Sequence, residues 1–132
     1  MKKLTLLFAL LAVAGFAQAQ SIVTPDGYQL FRKDGSAIYD ANNNQVGSLD
    51  GSIAYDASRN ELGRIMGNEL TKRGDLVGRI EGNRFNDNAG YTLVRMSGSN
   101  LLTPDGYTKA RLQGDFSTSD LALIYYFFMR KK

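Results

Sequence analysis

The chain has 132 residues, 43% hydrophobic and 22% charged, with 14 Gly, 2 Pro and no Cys, His or Trp. That length suits one small domain. The missing Cys and His exclude a disulfide framework, thiol catalysis, zinc-finger chemistry, a lipidated N-terminal Cys and the commonest general base. The formal net charge of +3 falls to +1 once Lys2 and Lys3 are set aside, which leaves no electrostatic footprint for nucleic acid.

Those two lysines open a leader. Met1-Lys2-Lys3 is a short basic start, an apolar run follows from Leu4 to Phe16, and Ala17-Gln18-Ala19 places small residues where a signal peptidase reads them. A run of roughly 13 apolar residues is short of the about 20 a spanning helix needs. Residues 1–19 are therefore expected to be a cleaved signal peptide. The chain behind it is expected to be exported, periplasmic or extracellular, with no lipid anchor and no transmembrane span.

Residues 20–115 form an internal repeat. The segment 37–52 lies over 53–68 without a gap, sharing Tyr-Asp-Ala, then Asn, an apolar residue, Gly, any residue, an apolar residue and Gly. Later units keep Val77-Gly78-Arg79-Ile80, Val94-Arg95-Met96 and Ala110-Arg111-Leu112. The closing glycine falls at 35, 51, 67, 82, 98 and 114, spacings of 16, 16, 15, 16 and 16. Thr-Pro-Asp-Gly-Tyr occurs at 24–28 and again at 103–107. Each period reads as two short strands and two turns: Ala37-Ile38-Tyr39, a turn over 40–44, a strand over 45–49, and a hairpin turn at Asp50-Gly51. A unit of this size cannot bury a core alone, so units must stack or close, and a ring removes the exposed edges. The twin Thr-Pro-Asp-Gly-Tyr segments place the first and last units side by side. The expected fold is all-β, about five or six 16-residue β-hairpins closed into a small toroid.

The tail 116–132 leaves the period. Ser119-Asp120 is a candidate helix cap, and Leu121 to Met129 is apolar almost without a break. Such a segment needs burial on every side. A plug seated in the ring is the expected reading; a membrane-surface tail aided by Arg130-Lys131-Lys132, an edge strand and a partner-binding segment are the alternatives.

A leader, 16-residue Asp-Gly and Val-Gly-x-Ile repeats and a Phe/Tyr-rich end together resemble the five-fold β-flower family. The resemblance rests on Ile38-Tyr39-Asp40, Val46-Gly47, Leu62-Gly63-Arg64-Ile65, Val77-Gly78-Arg79-Ile80 and Ile124-Tyr125-Tyr126-Phe127-Phe128, and it spans essentially all of 20–132. It implies a small exported protein of a kind found mainly in Bacteroidetes, and brings no catalytic residue to carry over. Two departures stand out: Val94 occupies a glycine position, and six closing glycines face five petals.

Candidate chemistry is sparse. Asp40-x-Asn42-x-Asn44 has the oxygen spacing of a calcium loop, but Gln45 and Gly51 stand where that loop needs Gly and a bidentate carboxylate. Asx side chains bonding to their own turns explain the same residues, as they do at Asp56-x-Ser58-x-Asn60. No metal and no cofactor are expected. Arginine recurs at one repeat position, as Arg32, Arg64, Arg79, Arg95 and Arg111, with Ser48 the exception. A collar of guanidinium groups binds phosphate, sulfate or acidic glycan bidentately; a solvated strand face pairing with Glu81, Asp75 or Asp115 is the plainer reading. Tyr28, Tyr91 and Tyr107 each follow a glycine in one phase, and Tyr39 and Tyr55 share another. Exposed rings stack on sugars, whereas buried ones pack across strands. Most of the 13 carboxylates sit at turns, and no nucleophile motif occurs. The sequence thus reads as a non-enzymatic exported envelope protein with a structural or interaction role, its partner an envelope glycan or protein. The alternative is a module that binds an anionic or carbohydrate ligand through the Arg row and Tyr faces.

Overall fold

The structure, a computed structural model, describes residues 19–130. The expected leader falls outside the described residues except for Ala19, as do Lys131 and Lys132. Twelve antiparallel strands follow one another round a closed barrel: β1 (Ala19–Val23), β2 (Gln29–Asp34), β3 (Ala37–Asp40), β4 (Gln45–Asp50), β5 (Ile53–Asp56), β6 (Glu61–Met66), β7 (Glu69–Lys72), β8 (Asp75–Glu81), β9 (Arg84–Asp87), β10 (Thr92–Ser97), β11 (Asn100–Leu102) and β12 (Thr108–Gln113). The ring closes where β1 meets β12 through Ser21↔Gln113, Ile22↔Leu112 and Val23↔Arg111. Closure pairs every strand on both sides, so no edge is left to recruit another chain.

One rim carries five two-residue hairpins. Gly35, Gly51, Gly67, Gly82 and Gly98 each take the first turn position at φ between 60° and 65°, while the residue after each stays at negative φ. That is the type II′ pattern, which an L side chain at the first position resists. The carbonyl of each following residue, Ser36, Ser52, Asn68, Asn83 and Ser99, accepts an N–H from the strand beyond at 2.7–2.8 Å. The sixth place on this rim is where β1 begins and β12 ends. Six closing glycines and five hairpins are therefore consistent: Gly114 closes no hairpin, because the chain leaves the wall there.

The opposite rim carries five turns of one design, over 24–28, 40–44, 56–60, 87–91 and 103–107. In each, the first residue's N–H donates to the fifth residue's carbonyl at 2.7–2.9 Å. The first side-chain oxygen, from Thr24, Asp40, Asp56, Asp87 or Thr103, accepts the fifth residue's N–H at 2.9–3.1 Å. The sixth turn is the short one: Arg73 and Gly74, at φ 56° and 85°, make a two-residue type I′ turn. This shortening accounts for the single 15-residue spacing.

Every even strand is bulged at the same place. Opposite Ile22 and Val23 stand Phe31 and Gln29, which leaves Leu30 as the extra residue. The same register step singles out Val46, Leu62, Val77, Leu93 and Lys109. Leu30, Val46, Leu62, Val77 and Leu93 pack against the core. A bulge resets the alternation of faces, so each of these residues joins the inward residue that follows it.

Twelve short strands enclose more space than their own side chains fill; about eight is the number that wall residues fill unaided. The tail occupies the remainder. Helix α1 (Thr118–Ile124) continues into a π-helical turn over Tyr125–Met129, together about 18 Å long at 1.5 Å per residue. It enters from the hairpin rim behind β12 and runs towards the loop rim. Leu121, Ala122, Leu123, Ile124, Tyr125, Phe127 and Phe128 are buried along it. The segment is thus a helical plug; the reading as an edge strand or a membrane-surface tail does not describe it. Its cap is Ser117, whose Oγ accepts the Asp120 N–H at 3.0 Å, rather than Ser119-Asp120.

The wall is shaped to this plug. Inward positions on even strands are Gly47, Gly63 and Gly78 on one side of the ring, and Val94, Ala110 and Phe31 on the other. A Cβ on Gly47 would stand 2.6 Å from the Phe128 ring, one on Gly78 would stand 2.7 Å from Phe85, and one on Gly63 would overlap Phe127. Helix α1 correspondingly lies against β5, β6 and β8. Val94 departs from the glycine pattern and is itself buried in the core. Tyr126 packs edge-on to Phe85 (6.2 Å) and Phe127 (5.0 Å), and the Arg130 guanidinium lies 4.3 Å over its face.

Two outcomes follow. Gly63→Ala is expected to cost about 2–3 kcal/mol by overpacking, measured by urea unfolding, and Phe127→Leu in that background should restore part of the loss. Burial raises the Tyr125 phenol pKa against the opposing pull of Arg130. A raised folded-state pKa favours the neutral form, so this contribution is intact below the ordinary tyrosine value of about 10 and is lost as pH rises past it. Urea midpoints taken between pH 8 and pH 11 should fall at the alkaline end, and less so in Tyr125→Phe.

Candidate functional site

The Arg row lies on the outer wall, one residue on each even strand except β4. Arg32 bonds to Asn43 Oδ1 at 2.6 Å, pairs with Asp34 at 3.4 Å and lies 4.2 Å over the Tyr39 ring. Arg64 holds Glu61 by two bonds of 2.9 and 2.7 Å, which keeps the carboxyl below and the guanidinium above their ordinary pKa values. The bulge at Leu62 makes this pair possible, since it returns residues 61 and 64 to one face. Arg79 reaches Glu69 at 3.4 Å, Arg111 donates to the Pro25 carbonyl at 3.3 Å, and Arg95 faces Arg84 across the β9–β10 ladder. The partners are thus Asp34, Glu61 and Glu69 rather than Glu81, Asp75 or Asp115. The five stand on different strands around the wall, and Arg32, Arg64 and Arg79 are each held by a separate carboxylate. Ser48, the exception, is buried on the same belt opposite Tyr55 and Ala37.

The tyrosines divide in two. Tyr39 and Tyr55 are half-buried wall residues. Tyr28, Tyr91 and Tyr107 are 74%, 74% and 73% exposed. They sit in the turns β1–β2, β9–β10 and β11–β12, which are three consecutive turns of the loop rim once the barrel closes between β12 and β1. Each follows a glycine at φ 99°, 96° or 95°, so the three turns present their fifth residue alike. The equivalent fifth residues on the neighbouring turns are Asn44 and Asn60, held by the same two hydrogen bonds. The fold therefore does not require tyrosine there: half of the rim is aromatic by choice of side chain, not of backbone.

The calcium-like turns use their carboxylates internally. Asp40 Oδ1 accepts the N–H groups of Asn42 and Asn44, and Asp56 Oδ1 those of Ser58 and Asn60, all at 2.9 Å. Among the described residues, no three Asp or Glu side chains gather as a metal site would need, and no buried side-chain nitrogen or oxygen lacks a partner.

Between the plug's end and the wall, on the side away from Gly47, Gly63 and Gly78, the loop rim opens into a cleft of about 270 Å³ lined by Leu30, Phe31, Ala41, Lys109 and Met129. Sequence reasoning missed it. The apolar residue ahead of each inward position is visible in the repeat, but strict alternation assigns it to the outer face, and only the bulges turn it inward.

A family model described as 5-fold beta-flower protein matches residues 19–129. The chain belongs to the 5-fold β-flower family. Five equal hairpins on one rim and five equal turns on the other give that description a concrete form in this barrel. No curated protein and no solved structure matches the chain. The β-flower family is not a known enzyme family.

Proposed function

We propose that this β-flower protein is a non-enzymatic, exported binding module of the cell envelope, and that the tyrosine half of its loop rim holds an envelope glycan. The observation that carries this reading is the exchange of Asn for Tyr at three consecutive, equivalent turns. Asn44 and Asn60 satisfy the same hydrogen bonds, so Tyr28, Tyr91 and Tyr107 add exposed aromatic surface that the turn does not need. A tyrosine face offers a sugar an apolar platform with a hydrogen-bonding edge. A set of three on adjacent turns is a patch, which single exposed side chains are not. Export is supported by the basic, apolar and small-residue order of 1–19, and by a family match that starts at residue 19. The Arg row supports an anionic ligand less well, because Arg32, Arg64 and Arg79 already hold carboxylates.

The test uses the conservative exchange the protein itself contains. Replacing Tyr28, Tyr91 and Tyr107 together by Asn should leave the melting temperature unchanged. Affinity for purified peptidoglycan or envelope polysaccharide should fall on the order of a hundredfold, at about 1 kcal/mol per stacked ring. Replacing Arg64, Arg79 and Arg95 together by Ala should leave that affinity nearly intact. If the arginine variant loses binding and the tyrosine variant keeps it, the glycan reading fails and the anionic one replaces it.

A further inference from the structure

We propose a second binding site in the cleft at the loop rim, one that takes a single acyl chain ending in a carboxylate, with Lys109 as the partner of the acid. The bulge position is Leu, Val, Leu, Val, Leu around five even strands, and Lys109 on the sixth. The cleft lies beside that exception, bounded by Leu30, Phe31, Ala41 and Met129, all apolar.

Gly47 and Gly63 take the Phe128 and Phe127 rings of the plug, and the cleft opens beside Met129, the plug's last residue, against β2 and the start of β12. Met129, only partly buried, forms the floor. Its neighbour Arg130 is occupied over the Tyr126 ring. Lys109 has no ion pair among the described residues, and it is exposed at the edge of the cleft. An apolar slot with one free ammonium at its lip is complementary to an amphiphile with its acid at one end: the methylenes leave water and the carboxylate gains a charge-assisted partner. The volume, just under the usual range for small-ligand sites, suits one chain and not a two-chain lipid.

The probe is dodecanoate, with dodecanol and acetate as comparisons, titrated into the purified protein by calorimetry or by NMR of the Met129 methyl group. Saturable binding of dodecanoate to one site is expected, with dodecanol weaker and acetate silent. Lys109→Met, an exposed change that leaves the fold intact, should weaken dodecanoate about tenfold, the size of one charge-assisted contact, and leave dodecanol unchanged. Met129→Trp should fill the cleft and remove both, while a melting curve confirms that the barrel is intact. Absence of saturable binding to the unmodified protein would overturn the proposal, as would dodecanol binding as tightly as dodecanoate, or affinity that neither substitution alters. A dimer that Met129→Trp dissociates would assign the cleft to a second copy of the chain and also overturn it.

Discussion

The rest of this structure depends on a mismatch of volume. Twelve strands of three to seven residues close into a ring whose interior their own side chains cannot fill. An empty interior would forfeit dispersion and apolar burial along the whole wall. The repeats on their own lack a core, and the tail on its own lacks anything to cover its apolar surface. Each supplies what the other needs. Burial of Leu121, Leu123, Ile124, Tyr125, Phe127 and Phe128, at about 1.5–3 kcal/mol each, is comparable with the 5–15 kcal/mol net stability of an ordinary domain.

Within that constraint the repeat supplies symmetry, and several departures from symmetry have an assignable structural cause. Glycine stands inward at Gly47, Gly63 and Gly78, where an added Cβ would meet both a Phe ring and a neighbouring strand's carbonyl. The fourth turn of the loop rim is shortened to Arg73-Gly74, two residues between its closing pair instead of three. The missing sixth hairpin is the doorway through which the chain enters the wall and turns back into the barrel. Two departures have no such structural cause. Tyrosine replaces asparagine at three adjacent turns, and lysine replaces leucine or valine at one bulge. Both lie on the loop rim, where binding is proposed.

Much of the architecture was legible in the residues. The glycine spacing gave the repeat, the twin Thr-Pro-Asp-Gly-Tyr segments marked neighbours across the seam, and the uninterrupted apolar run from Leu121 required burial. The bulges were not legible, because a period of two is the only rule the eye applies to a strand, and an extra residue such as Val46 looks like any other apolar member of the wall. The cap at Ser117 was missed because Ser119-Asp120 carries the stronger local pattern, and the choice is settled by where the chain leaves Gly114. For the candidate site, Tyr28, Tyr91 and Tyr107 were recognised as one phase of the repeat, but their gathering into an arc depends on closure between β12 and β1. The Arg row was seen as a row; its partners were not, since the parity of Glu61 and Arg64 changes at Leu62.

The mutual dependence of wall and plug is open to one direct measurement: thermal melts and size-exclusion profiles of the chain starting at residue 20, ending either at 132 or at 116. The shorter chain should show no cooperative melt and should aggregate, because its interior is left unfilled. A cooperative melt near the temperature of the longer chain, from a monomer of barrel size, would mean that the wall stands alone and that the plug does not determine the fold.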